Sequence, residues 1–170
     1  MKYKGMKDVK RMAILANLVA VAIVLNLVEA QLNFIPVPGA KLGLANLVTM
    51  VVVYMFSPKE AIMVTLLRII IVGLLSGRLF GPTTIMGFSG AIVSVIVMIM
   101  LKKINVFGVV LVSVISSMSH QVGQIIAGIF VIGSSDVIYY LPIMLPLGIV
   151  SGILIGIISE RFIKVLENKF

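Results

Sequence analysis

Six apolar segments, separated by short polar or proline-containing links, dominate this chain. A helix needs about 20 apolar residues to cross a hydrocarbon core about 30 Å thick. The segments cover, approximately, residues 11–28, 41–56, 60–75, 83–101, 104–132 and 137–158. Of all residues, 61% are hydrophobic and only 12% are charged, too few charges for the surface of a soluble domain of this size. We therefore predict an all-α membrane protein, with residues 1–170 forming a single domain of six transmembrane helices.

The positions of the basic residues predict how these helices are oriented. With the N-terminus in the cytoplasm, eleven of the 14 lysines and arginines fall on the cytoplasmic side. An even number of spans returns the C-terminus to that side. We expect a multi-pass protein of the cell membrane with both termini cytoplasmic and the apolar first segment retained.

The composition excludes several classes of chemistry. The chain has no cysteine, one histidine and six carboxylates, so neither a disulfide nor a multi-ligand metal centre is expected. It has no phosphate-binding glycine loop ending in Lys-Ser/Thr and therefore should not hydrolyse ATP itself. Its two aspartates, Asp8 and Asp136, are too far apart to hold Mg²⁺ for prenyl diphosphate chemistry. We predict neither an enzyme nor a cofactor, and the net charge of +8 reflects membrane orientation, not nucleic-acid binding.

Three basic residues do not follow the cytoplasmic pattern. Lys41 and Arg78 fall on the outer side, and Arg68 lies within the third apolar segment. An arginine inside the membrane is costly unless it faces the protein interior, pairs with an acid or reaches water. Two acids, Glu29 and Asp136, are available on the outer side as partners for Arg68. The sequence thus predicts a polar, partly positive region in the outer half of the helix bundle.

Polar residues recur at helical spacing in three other segments. They are Asn26 and Glu29, then Asn46 and Thr49, then Ser113, Ser117, His120 and Gln124. Spacings of three and four residues put each set on one helix face. For Thr49, Ser113 and Ser117 the favoured interpretation is hydrogen bonding between packed helices. For His120 and Gln124 a ligand site is favoured.

Two loops have more than one interpretation. Residues 29–46 contain Pro36 and Pro38, which fix the backbone and remove two donors. This stretch either lines a pocket or simply ends one helix and begins the next. Residues 76–89 are rich in glycine and proline and form either a lid over the pocket or an ordinary connection.

The strongest motifs resemble a known family. Glu29, IPVPGAKLGLAN at 35–46, Arg68, FSGAIVS at 88–94 and SHQVGQ at 119–124 resemble the Gx transporter family, whose members are often labelled heptaprenyl diphosphate synthase component I. The resemblance covers nearly the whole chain. Two departures are Gly90-Ala91 in place of paired glycines, and Gln121 in place of an asparagine after the histidine.

This family is similar in layout to the substrate-binding S components of energy-coupling factor transporters. The resemblance implies an outward-facing pocket and an AxxxA face on the first helix, here Ala16 and Ala20, that docks to a membrane coupling subunit driven by two ATPases. The residues expected to bind the substrate are Glu29, Lys41, Asn46, Arg68, Arg78, His120, Gln121 and Gln124.

Three functions follow as hypotheses. The first is capture of a small, anionic nutrient or cofactor precursor at the outer face, as an S-component-like subunit of an uptake transporter. The second is a non-catalytic membrane subunit of prenyl diphosphate or quinone biosynthesis, or of a flavin-linked electron-transfer assembly. The third is a structural bundle whose polar residues only fix helix packing.

Overall fold

The computed structural model describes residues 8–31 and 43–169, and these residues form helices with no β-strand among them. The helices are α1 (Asp8–Gln31), α2 (Asn46–Met55), α3 (Pro58–Leu75), α4 (Pro82–Ile104), α5 (Val109–Ile132) and α6 (Leu141–Lys169). A short 3₁₀ helix, Ser135–Tyr140, precedes α6. The all-α class predicted from the sequence is confirmed.

The helices differ in their ability to cross a membrane. Four stretches are long and apolar enough: α1, α4, α5, and α6 together with its 3₁₀ helix. α3 has 18 residues but carries Lys59, Glu60 and Arg68. α2 has ten residues, which at about 1.5 Å per residue is half the thickness of the hydrocarbon core. The structure therefore supports a multi-pass membrane protein, and six complete crossings remain a prediction.

Several helix boundaries differ from the predicted ones. The second segment becomes helical only at Asn46, after a turn that begins at Gly43 with φ of 78°. The predicted start of the fifth segment at residue 104 is wrong, because α4 continues to Ile104 and Asn105 ends it in the left-handed conformation. α6 continues to Lys169, eleven residues beyond the predicted end at residue 158. Apolar composition does not mark these ends, since it continues through them.

One helix start follows directly from the sequence. Ser57 accepts a hydrogen bond from the Glu60 N–H, and the Glu60 carboxylate accepts one from the Ser57 N–H. Pro58 occupies the first helical position, where its missing donor costs nothing. This capping box lets the chain reverse direction within two residues between α2 and α3.

α2 is a buried helix whose C-terminus is stabilised by another helix. Eight of its ten residues are buried, and it packs against α1, α3, α4 and α6. It has no basic residue in its last turn. Instead Lys102 of α4 donates hydrogen bonds to the carbonyls of Val53 and Tyr54 and lies 5.4 Å from the centre of the Tyr54 ring. A cation at this place satisfies carbonyls that the helix cannot pair itself and complements its dipole.

The charged helix ends gather at one end of the bundle, which we call the basic end. There Arg11 of α1 makes two hydrogen bonds to Glu60 of α3, of 2.6 and 2.7 Å. Lys102 of α4 lies there at the end of α2. The cytoplasmic location of the basic end remains a prediction from the positive-inside rule.

Small residues bring the last three helices close together. A Cβ on Gly152 would lie 2.7 Å from the Val114 Cα, and one on Gly156 would lie 2.8 Å from the Val110 Cα. A Cβ on Gly90 of α4 would lie 2.7 Å from the His120 carbonyl oxygen. The glycines therefore allow α4 and α6 to approach the α5 backbone, as small residues do at membrane helix interfaces.

Candidate functional site

The candidate site is built around Arg68, which is 4% exposed. Its Nη2 lies 3.5 Å from the side-chain oxygen of Asn46, the first residue of α2. Its Nε has no hydrogen-bond partner among the described residues. An arginine can donate five hydrogen bonds, so this guanidinium retains donors for a further acceptor.

The guanidinium lies near the middle of the bundle's depth. Arg68 follows Pro58, where α3 begins, by ten residues, a rise of about 15 Å. Asn46 lies about the same distance above the end of α2. The two helices run antiparallel side by side, as the 3.3 Å contact between the hydroxyls of Thr49 and Thr65 shows. The N-terminus of α2, the positive end of its dipole, therefore lies within the protein at the level of Arg68.

Glu29 of α1 is the acid that faces this positive region. It is 7% exposed and accepts a hydrogen bond of 2.5 Å from the N–H of Gly43, which lies beside Asn46, the residue that contacts Arg68. Asp136, the other acid offered by the sequence, is exposed in the 3₁₀ helix. Of the two acids, Glu29 is therefore the one that is buried near the candidate site.

The arrangement suits an anionic group. One guanidinium and one helix N-terminus provide positive charge and N–H donors in a place that water does not screen well. Glu29 supplies the single negative charge found with them among the described residues. A guanidinium and backbone N–H groups donate hydrogen bonds and offer no lone pair to a metal ion, so these donors favour an anion.

The predicted polar residues of α5 form a second group, which we call the α5 group. His120, Gln121 and Gln124 are all buried, and Gln124 is fully so. His120 and Gln124 face Gly90 of α4, whereas Gln121 faces Gly148 of α6. The Gln121 Oε1 atom has no hydrogen-bond donor among the described residues.

The described contacts form two groups. Glu29 accepts from the Gly43 N–H, Gly43 lies beside Asn46, and Asn46 contacts Arg68, so these residues belong together. The α5 group instead packs against Gly90 of α4 and Gly148 of α6.

The other predicted residues have separate locations. Arg78 is exposed in the turn between α3 and α4, beside a shallow depression lined by residues between Gly73 and Gly81. Lys41, and most of the loop at 29–46, lie outside the described residues. Ala16 and Ala20 are exposed on α1. Of the residues expected to hold helices together, Thr49 does bond to Thr65, whereas the Ser113 hydroxyl has no hydrogen-bond partner among the described residues.

Sequence reasoning noted that Gly43 could let the backbone approach other groups, and Gly43 does donate to Glu29. It overlooked Gly148, which lies against Gln121 of the α5 group, and the close packing of Gly90 on His120 and Gln124. The spacing of Gly148, Gly152 and Gly156 at intervals of four was a readable signal for close helix packing. No local pattern indicated that Gly43 would meet Glu29.

Comparison with protein families decides the relationship of the chain. The family model described as heptaprenyl diphosphate synthase component I matches residues 18–162. The chain belongs to this family. The family assignment predicted from the motifs is thereby confirmed, and the matched region includes every described residue of the candidate site. No curated protein and no solved structure shows significant similarity to the chain.

Proposed function

We propose that this protein captures a small anionic compound at the outer face of the cell membrane and delivers it to an ATPase-driven uptake complex. The observation that carries the proposal is the guanidinium of Arg68, buried at mid-depth beside the N-terminus of α2 with its Nε lacking a described partner. Burying a cation in the membrane costs several kcal/mol, so such residues usually serve a function.

The chemistry of the site supports a carboxylate or phosphate as the bound group. A guanidinium binds both in a two-pronged geometry, and a helix N-terminus adds backbone donors. The α5 group offers an imidazole and two amides for a hydrogen-bonding part of the same molecule. A compound with an anionic group and separate polar atoms would use both groups.

The exposed face of α1 supports the partner in this proposal. α1 packs against α2 and α3, and Ala16 and Ala20 face away from that contact. Small residues one helical turn apart let another helix approach closely. A membrane coupling subunit, itself bound to a pair of ATPases, is the proposed occupant of this face.

Purification in mild detergent tests the proposal. We expect native mass spectrometry to detect one non-lipid anionic compound bound one to one, and affinity capture from the native membrane to recover a coupling subunit with two ATPases. Recovery of neither the compound nor the ATPases would contradict the proposal.

A variant of the central residue tests the site itself. Arg68→Gln should weaken binding of the retained compound about 10- to 100-fold, because hydrogen bonds to charged groups contribute about 1.5–3 kcal/mol. Arg161→Gln removes the same charge from an exposed position on α6 and should leave binding unchanged. Equal binding by both variants would refute a role for Arg68.

The family name favours a second candidate function, a non-catalytic membrane subunit of a prenyl diphosphate synthase. The chemistry of the site is compatible, since a diphosphate is an anion and a prenyl chain is apolar. The same purification separates the two functions. A prenyl diphosphate in the site, together with a soluble synthase component in the captured material, would support the second function over uptake.

A further inference from the structure

Glu29 places a carboxylate at the position in the candidate site where the anionic group of a ligand would bind. Its Oε1 accepts the Gly43 hydrogen bond near the N-terminus of α2, and Gly43 lies beside Asn46, which contacts Arg68. An anionic group of a ligand would need the positive charge and N–H donors of this same place. We propose that Glu29 is an internal competitor, which occupies the anion position in the unliganded protein and is displaced when the anion binds. This inference rests on the proposed function.

The location of Glu29 in α1 supports displacement over a fixed structural role. Glu29 lies in the last turn of α1, two residues before the helix ends at Gln31. The C-terminus of a helix carries partial negative charge, so a carboxylate there is unfavourably placed with respect to its own helix. The group that donates a hydrogen bond to it, the Gly43 N–H, lies outside α1. Loss of this contact would therefore cost α1 little.

The described partners of Arg68 satisfy only part of the hydrogen-bonding capacity of its guanidinium. Its contact with Asn46 is long, at 3.5 Å, and its Nε has no acceptor among the described residues. An incoming carboxylate or phosphate can engage two guanidinium nitrogens at once, which the present geometry of Asn46 does not. Arg68 would therefore form stronger hydrogen bonds with the bound anion once Glu29 is displaced.

If Glu29 competes with the ligand, one substitution should change the affinity for anions in a predictable direction. Glu29→Gln keeps the size of the side chain and an oxygen that accepts from Gly43, but it removes the competing charge. A protein whose site is open only a fraction of the time shows an apparent affinity reduced by that fraction. If Glu29 occupies the site about nine-tenths of the time, the variant should bind anions about 10-fold more tightly. If Glu29 instead contacts the ligand directly, the same variant should bind more weakly.

The experiment uses inorganic phosphate and acetate as probes. The full-length protein in detergent micelles would be titrated with each anion at constant ionic strength set by chloride, and binding followed by calorimetry. We expect Glu29→Gln to bind at least one anion about 10-fold more tightly than the wild type. Glu160→Gln, which removes the same charge from a partly exposed residue of α6, should match the wild type. Adding Arg68→Gln to Glu29→Gln should abolish the gain.

Each outcome of the titration either supports or overturns the proposal that Glu29 competes with the bound anion. Tighter binding by Glu29→Gln that requires Arg68 supports the competitor. Equal or weaker binding overturns it, and the proposed function still stands if wild-type binding depends on Arg68. Absence of binding by every variant also overturns it, and the proposed function is then decided by the retained-compound experiment alone. Should Glu29→Gln fail to fold, Glu29→Asp keeps the charge on a shorter side chain and should shift affinity in the same direction by a smaller factor.

Discussion

Lys102 is the residue whose removal best tests how α2 is held in place. The change is Lys102→Met, which keeps an unbranched side chain and removes the ammonium. The carbonyls of Val53 and Tyr54 then lose the donor that the Lys102 side chain provides. They belong to the last turn of a helix, where carbonyls have no intrahelical partner.

The expected loss follows from those contacts. A hydrogen bond from a charged donor contributes about 1.5–3 kcal/mol to stability. A cation at a helix C-terminus contributes about 0.3–1 kcal/mol through the dipole. Lys102 is only half-buried, so water screens part of both effects. We expect the free energy of unfolding to fall by about 2 kcal/mol, which increases the unfolding equilibrium constant about 30-fold.

The assay is unfolding by SDS in mixed micelles, followed by the circular dichroism of the helices. Lys103→Met is the matched control, because Lys103 is the next residue, carries the same charge at the same end of α4, and is exposed. That control also removes one charge from the basic end, so it accounts for any effect on membrane orientation. If the two variants lose the same stability within about 0.5 kcal/mol, Lys102 does not stabilise α2 as described.

Two further stability predictions can be checked by the same method. Glu60→Gln should lower the free energy of unfolding by about 1–2 kcal/mol, because it weakens both the ion pair with Arg11 and the cap of α3. A loss of stability no greater than that of Glu160→Gln would contradict this prediction. Gly152→Ala should cost about 1–3 kcal/mol, since its Cβ would meet the α5 backbone at 2.7 Å. Gly87→Ala is the control, because a Cβ at Gly87 meets nothing within 4 Å, and it should be neutral or slightly stabilising. Equal changes in stability for Gly87→Ala and Gly152→Ala would argue against close packing of α5 and α6.

Much of the candidate site could be predicted from side-chain chemistry. A charged residue in an apolar helix must face the interior or a partner, and Arg68 is indeed buried. The helical spacing of His120 and Gln124 placed them on one face, and both are buried there. Arg78 was predicted to belong to the same site because the sequence shows that it lies away from the basic end. The sequence does not show that its side chain is exposed to solvent.

The location of Glu29 near Arg68 could not be predicted in the same way. Glu29 and Asp136 had equal standing in the sequence, because both were predicted at outer helix ends. Glu29 lies near Arg68 because α1 packs beside α2 and α3, whereas Asp136 lies in a 3₁₀ helix at the surface. Which helix packs against which depends on contacts distant in sequence, and no local pattern records them.

The sequence by itself determined that this chain lies in a membrane and that its helices carry most of their basic residues at one end. These are local properties: hydrophobic length and charge position. Only the tertiary structure decided that α2 is a half-length helix with Glu29 near its N-terminus and Lys102 at its C-terminus. A ten-residue helix is marginal on its own, so its ends are fixed by charges that other helices bring to it.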